Sequence, residues 1–260
     1  MGFLVVLLAL PVGTLRAQTV TARELNVYLL AGQSNMAGRG AVSAEDTTRH
    51  PRVYALGDSL TWRLAYEPLH FDKPGIVGVG PGFAFGKAMA DADSNVVIGL
   101  IPAAVGGSAI ESWRPGEIHG QTHSRPYDDA VSRTVRVLAE HGGTLRGIIW
   151  HQGEANRQTP PVEYRANLVA LIARFRADFG IPDLPFVAAR LAPYFVENHP
   201  GADSINAVIS EIPALVDHTA VVDTDDLVDK GDGVHLDASS ARLLGRRFAR
   251  AMMELQKERE

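Results

Sequence analysis

Acyl transfer by serine needs a nucleophile, a base to take its proton, a group that orients the base, and donors for the developing oxyanion. Four short segments of this chain carry side chains of those types: Gly32-Gln33-Ser34-Asn35-Met36, Gly106-Gly107-Ser108, His151-Gln152-Gly153-Glu154 and Asp232-Gly233-Val234-His235. Ser34 is the candidate nucleophile and His235 the candidate base. Asp232 stands three residues before His235 in one polar loop. One turn there brings a carboxylate to the imidazole, where it fixes the tautomer and stabilises the imidazolium. The candidate oxyanion donors are the backbone N–H of Ser34, the backbone N–H of Gly107 and the side-chain amide of Gln152. A glycine lets the backbone come close to a substrate. One such donor is worth on the order of 10²–10³ in kcat.

Each segment also has a plainer explanation. A serine after a strand is commonly a helix N-cap. Asp and His are frequent in turns. His151, beside Trp150, fits a satisfied core histidine better than a catalytic one, and Glu154 is the second candidate for the carboxylate that supports His235. The stretch Glu117 to His123 holds metal-ligand residue types, but its histidine spacing matches no common zinc motif, so a solvated loop is expected. Gly57-Asp58-Ser59-Leu60 spells GDSL, a familiar esterase signature. Trp62, Pro68 and Pro74 follow it, so no helix there can aim its N-terminus at an anion. Ser59 is expected in a turn, away from the strand ends that carry the other segments.

The elements that must position these residues alternate along the chain. Apolar runs at 26–31, 53–56, 95–101, 145–150, 184–188 and 220–223 predict strands. Helical spacing is found at 83–92, from Pro126 to a stop at Gly142-Gly143, over Tyr164 to Phe179, at about 204–216 with Pro213 interrupting or ending it, and at 238–256. The stretch from Trp62 to Pro74 predicts a loop or hairpin excursion. Strand followed by helix, repeatedly, implies an α/β fold with a mostly parallel central sheet and helices on both faces. In such sheets functional groups gather past the C-terminal strand ends. Ser34, Gly107, Gln152 and His235 all fall at such positions.

The chain has 260 residues, net charge −5, pI about 6.0 and no cysteine. The charge gives no footprint for nucleic acid, and disulfides and thiolate chemistry are excluded. The length and the lack of a linker favour one domain, residues 18–260. Residues 1–17 carry an apolar run, Phe3 to Leu10, too short to span a bilayer and of signal-peptide length. A secreted or periplasmic protein, with no membrane segment after cleavage, is expected. Oligomeric state has no signature in the sequence.

Taken together, GQSNM (32–36), GGS (106–108) with Glu111-Ser112-Trp113, WHQGE (150–154) and DGVH (232–235) resemble the sialate O-acetylesterase domain of the SGNH-hydrolase superfamily, which is similar to carbohydrate esterase family 6 acetylxylan esterases. The resemblance covers roughly residues 26–250. It implies a three-layer α/β/α sandwich, flavodoxin-like, that removes acetyl groups from carbohydrates without a metal or other cofactor. By position, Ser34 matches the nucleophile, Gly107 and Gln152 the oxyanion positions, His235 the base and Asp232 its partner. Gln33 and Gln152 stand where the wider superfamily has Asp and Asn, as in the sialate-esterase branch. The triad acid of that branch falls on Asp232 or Glu154. Gln33, Trp113 and the aromatic side chains of Trp62, Tyr66 and Phe71 are candidate contacts to an acetylated sugar. Other acyl esterases, lipases or thioesterases, or a carbohydrate-binding protein without catalysis, are the competing expectations.

Overall fold

A computed structural model describes residues 24–258. The expected leader, residues 1–17, lies outside them. In chain order the elements are β1 (Glu24–Gly32), α1 (Ser34–Ala37), α2 (Ala44–Thr47), β2 (Val53–Leu56), β3 (Trp62–Leu64), α3 (Pro81–Ala92), β4 (Val96–Pro102), α4 (Pro126–His141), β5 (Thr144–His151), α5 (Pro161–Phe179), β6 (Phe186–Ala189), α6 (Pro193–Asn198), α7 (Ala202–Leu215), β7 (Thr219–Val222) and α8 (Ala238–Lys257). Short 3₁₀ turns occupy Ile110–Trp113 and Glu154–Asn156.

The strands form one sheet in the order β3-β2-β4-β1-β5-β6-β7. All pairings are parallel except β2–β3, a hairpin that puts an antiparallel strand on the edge. The sequence predicted this excursion but not its strand. β1 lies in the middle, with β4 on one side and β5 on the other. The chain leaves β1 toward β2, then crosses back to β5. That reversal is the topological switch where α/β sheets open a crevice.

Side-chain alternation divides the core into two layers. Tyr28 and Leu30 of β1 join Phe83, Phe85 and Met89 of α3 and Leu244, Phe248 and Met252 of α8. Val27, Leu29 and Ala31 point the other way, into Tyr127 and Ala130 of α4, Leu168, Leu171 and Phe175 of α5, and Ile205 and Ile209 of α7. A strand buried on both faces explains the unbroken apolar run of β1. Each such Leu or Phe contributes about 1.5–3 kcal/mol relative to exposure.

Helix boundaries follow local chemistry. α3, α4 and α5 each begin with proline, whose missing N–H costs nothing in a first turn. The Asp237 side chain caps α8 by accepting the Ser240 N–H at 2.6 Å. Pro213 does not stop α7, which runs on to Leu215. It sits in the last turn, where the helix loses only one hydrogen bond.

Candidate active site

The C-terminal end of β1 turns sharply because of Gly32. Its φ is +130°, and a Cβ there would lie 2.1 Å from the His151 carbonyl oxygen. Only glycine fits both conditions. The Gln33 N–H donates to that same carbonyl at 2.9 Å, tying the end of β1 to the end of β5. Ser34 then opens α1, a single helical turn, as its first residue. Its hydroxyl is therefore not an N-cap; it faces the loop that follows β7.

In that loop His235 Nε2 lies 3.1 Å from Ser34 Oγ, and His235 Nδ1 lies 2.8 Å from Asp232 Oδ2. The other carboxylate oxygen, Oδ1, accepts the N–H groups of His235 at 2.8 Å and Val234 at 3.0 Å. Burial alone would raise the Asp232 carboxyl. The bonds from the His235 ring and from the two amides outweigh it and hold the group well below the usual carboxylate range. Asp229 Oδ2 in turn accepts the N–H groups of Gly231 and Gly233 at 2.8 and 2.6 Å. The loop is short, yet every turn of it is pinned.

Glu154 is placed elsewhere. It is 4% exposed and accepts from Asn35 Nδ2 at 2.7 Å. Burial pushes its carboxyl up, opposed by that Asn35 bond. Of the two carboxylates the sequence leaves open, the one bonded to the His235 ring is Asp232. His151 is buried, as expected, but its ring nitrogens meet no hydrogen-bond partner among the described residues. Its nearest acid is Glu154, at 3.7 Å.

Gly107 takes φ +82° in the loop after β4. It lines a cleft of about 450 Å³ together with Gln33, Ser34, Glu154 and His235. Gln152, expected in the same ring of donors, is turned away. Its Nε2 donates to Ser108 O at 3.2 Å and Asn156 Oδ1 at 2.6 Å, while its Oε1 accepts from the Tyr164 hydroxyl at 3.0 Å. With both amide hydrogens spoken for and no exposed surface, it braces the floor instead of facing a ligand. The amide that does line the cleft is Gln33. Its Oε1 accepts the Ala155 N–H at 3.2 Å, which orients the side chain and leaves Nε2 for a ligand.

The expected sugar platforms are also displaced. Trp113 has no exposed surface; it packs edge-on against Trp150 with ring centroids 5.0 Å apart and donates to Ser108 Oγ. Trp62 fills the space above Gly99, while Tyr66 and Phe71 are covered by the guanidinium groups of Arg63 and Arg133. None of the four lines the cleft. Its wall is built from Ile76, Phe195 and His199, the last two stacked with centroids 4.0 Å apart. The run Pro193-Tyr194-Phe195, separated from the end of β6 by three residues, was the available signal for this wall, since it too lies past a C-terminal strand end.

Three cations also line the cleft: Arg39, Lys73 and Arg157. Arg39 is paired with Asp72 at 3.1 Å in a nearly fully buried bridge. Lys73 Nζ donates to the Gln121 amide oxygen at 2.6 Å, and Arg157 donates to the Glu154 carbonyl at 3.2 Å. Ser59 lies apart. β2 is parallel to β4, so Gly57 does follow a C-terminal strand end, contrary to expectation, but two strands away from β1. There Ser59 Oγ bonds to Thr61 Oγ1 at 2.9 Å in an exposed hairpin turn. Among the described residues no group of three or more His, Asp or Glu is arranged to hold a metal, and no helix is long and apolar enough to cross a membrane. His119 of the expected solvated loop is in fact buried, paired in a bridge with Ser124.

Residues 24–254 match the family of carbohydrate esterases described as sialic acid-specific acetylesterases. A probable carbohydrate esterase of Arabidopsis thaliana is 30% identical over 248 residues, which cover 87% of this chain and 90% of that protein. Its crystal structure superposes with a TM-score of 0.78, covering 89% of this chain and 98% of that one at 29% identity. The sialate O-acetylesterase of Pongo abelii is 27% identical over 199 residues, 64% of this chain but 38% of that longer protein. The structure of NanS shares the fold at 18% identity, with a TM-score of 0.73 over 92% of this chain and 99% of that one.

Proposed function

The chain belongs to the sialic acid-specific acetylesterase family of carbohydrate esterases, and from that premise we propose that it deacetylates an acidic sugar through an acetyl-enzyme on Ser34. The observation that carries the mechanism is the unbroken run from Ser34 Oγ to His235 to Asp232, at 3.1 and 2.8 Å.

In this mechanism His235 Nε2 takes the Ser34 proton as Oγ attacks the acetyl carbonyl carbon. The imidazolium is stabilised by ionised Asp232. The oxyanion is received by the N–H of Ser34, which as the first residue of a helical turn has no acceptor within it, by the N–H of Gly107, and by Gln33 Nε2 in place of Gln152. Collapse of the tetrahedral intermediate breaks the bond to the sugar oxygen, which leaves with the proton from His235. Water then attacks the acetyl-Ser34 carbonyl, losing its proton to His235. Release of acetate returns that proton to Ser34 Oγ.

The cationic rim supports an acidic sugar over a neutral xylan chain. Lys73 and Arg157 line the cleft and are held by neutral acceptors, and a carboxylate there gains charge-assisted bonds. We read residues 1–17 as an export leader, so the working enzyme is secreted or periplasmic; N-terminal sequencing of exported protein tests this.

Two measurements test the function. A fluorophosphonate is expected to label Ser34, and Ser34→Ala is expected to lose the label and at least about 10⁴-fold in kcat. No label on Ser34 replaces the enzyme by a binding protein. Acetate release is then compared on O-acetylated sialic acid, acetylated xylan and a neutral acetylated hexose. A higher kcat/KM on xylan would remove the acidic-sugar reading.

A further inference from the structure

We propose that Glu154 and Asn35 act together as positioning residues, holding the His235 loop against the nucleophile turn. This rests on the reading of Ser34 and His235 as nucleophile and base, and adds how the two are brought together. Ser34 and His235 lie 201 residues apart, and their own bond is a weak tether for an otherwise exposed loop. Asp232 and His235 keep 38% and 24% of their side-chain surface exposed. The residue next to the nucleophile supplies the missing attachment. Asn35 Oδ1 accepts the Leu236 N–H at 2.9 Å, and Asn35 Nδ2 donates to the Val234 carbonyl at 3.1 Å. One carboxamide thus grips the backbone on both sides of His235. Because Asn35 follows Ser34 directly, the same grip sets the height of the imidazole over the hydroxyl.

Glu154 fixes the carboxamide itself. A free asparagine side chain rotates and can exchange its oxygen for its nitrogen, which would set donor against donor at Leu236. The second hydrogen of Asn35 Nδ2 is taken by Glu154 Oε1 at 2.7 Å. With that hydrogen engaged, only one orientation satisfies all three partners. Both side chains are 4% exposed, so water offers little substitute. Glu154 reaches this place from the end of β5, through the turn at Gly153. The brace therefore joins the ends of β1 and β5 to the loop after β7.

The experiment is a double-mutant cycle read by two probes: kcat and KM on 4-nitrophenyl acetate, and the rate of fluorophosphonate labelling at Ser34, which reports activation of the hydroxyl without any sugar. Asn35→Ala is expected to lower kcat and the labelling rate together, on the order of 10²-fold, with KM changed less than about threefold, as for a catalytic group displaced by about 1 Å. Glu154→Ala should lower both by at least about tenfold. Glu154→Gln, whose amide oxygen can still accept from Asn35, should recover most of that loss, and the double alanine variant should be no worse than Asn35→Ala alone. Glu154→Gln is close in shape and serves if Asn35→Ala does not fold. If Glu154→Gln is as slow as Glu154→Ala, or if the losses of the two alanine variants multiply, Glu154 acts independently of Asn35 and the brace is wrong. Full activity in Glu154→Ala overturns it as well. Wild-type protein that fails to label at Ser34 rejects the esterase mechanism itself, a separate outcome.

Discussion

In the proposed mechanism the Ser34 hydroxyl is unreactive until its proton has somewhere to go, so the chemistry rests on which group stands behind His235. Asp232 stands there at 2.8 Å. Replacing it with asparagine keeps the shape but offers the wrong tautomer, and Asp232→Asn is expected to lower kcat by about 10²–10⁴ while KM holds, measured on a chromogenic acetyl ester. The two glutamines separate in the same assay. Gln33→Ala should cost on the order of 10² in kcat if it donates to the oxyanion. Gln152→Ala should act through stability: Ser108 O loses its amide partner, while Asn156 Oδ1 keeps the Ile110 N–H and the Tyr164 hydroxyl keeps the residue-152 carbonyl, so the cost is about 1–3 kcal/mol, that of one buried polar group. This difference could not be seen in the sequence. Residue types name the donors available near a strand end, but which way a side chain turns depends on partners such as Asn156 and Tyr164 that carry no motif. Trp113 fails for the same reason: an aromatic in a glycine-rich loop suits a sugar face and a core equally well, and here the core holds it.

At the scale of elements, the turn out of β1 is the joint on which the site depends. Gly32→Ala meets the His151 carbonyl at 2.1 Å and must adopt φ +130°. We expect a loss of about 2–4 kcal/mol in urea denaturation, from backbone strain together with the clash. The surviving folded protein should also be less active, because Ser34 follows the displaced turn. The elements with a clear apolar pattern were legible: β1, β2, β4, β5, β6, β7 and helices α3, α4, α5, α7 and α8 appear within a few residues of their hydrophobic patterns. The short elements without such a pattern, α1, α2, β3 and α6, were not. β3 has three residues and α6 six, too few for a period to register. The missing α6 is the more serious omission, since its Phe195 and the following His199 build the cleft wall. The parallel pairing of β2 was equally hidden, and with it the fact that Ser59 shares the functional edge of the sheet.

For the molecule as a whole, stability is coupled to acid through histidines buried neutral. Burial alone holds His151 down to about 4, against 6.5 for an exposed imidazole. Between those values the unfolded chain binds a proton that the folded one does not, so stability falls as pH drops from about 6.5 to about 4 and is fully present above. One such group contributes a slope of about 1.4 kcal/mol per pH unit. His151→Phe is expected to flatten the measured stability-against-pH curve by that amount within the window and to leave its shape above pH 7 unchanged. The overall layering was readable in advance because alternating strand and helix patterns admit few topologies. The order of strands was not, and it has a consequence for how the protein is made. β1 is the first strand of the sheet to be translated, yet it lies between β4 and β5, whose residues come much later. At about 5–20 residues per second, the ribosome takes on the order of ten seconds to supply both neighbours. For that time an apolar segment with two open edges waits beside the exit tunnel. Codon choice in the stretch between β1 and β5 therefore bears on the yield of folded enzyme, although it alters no residue.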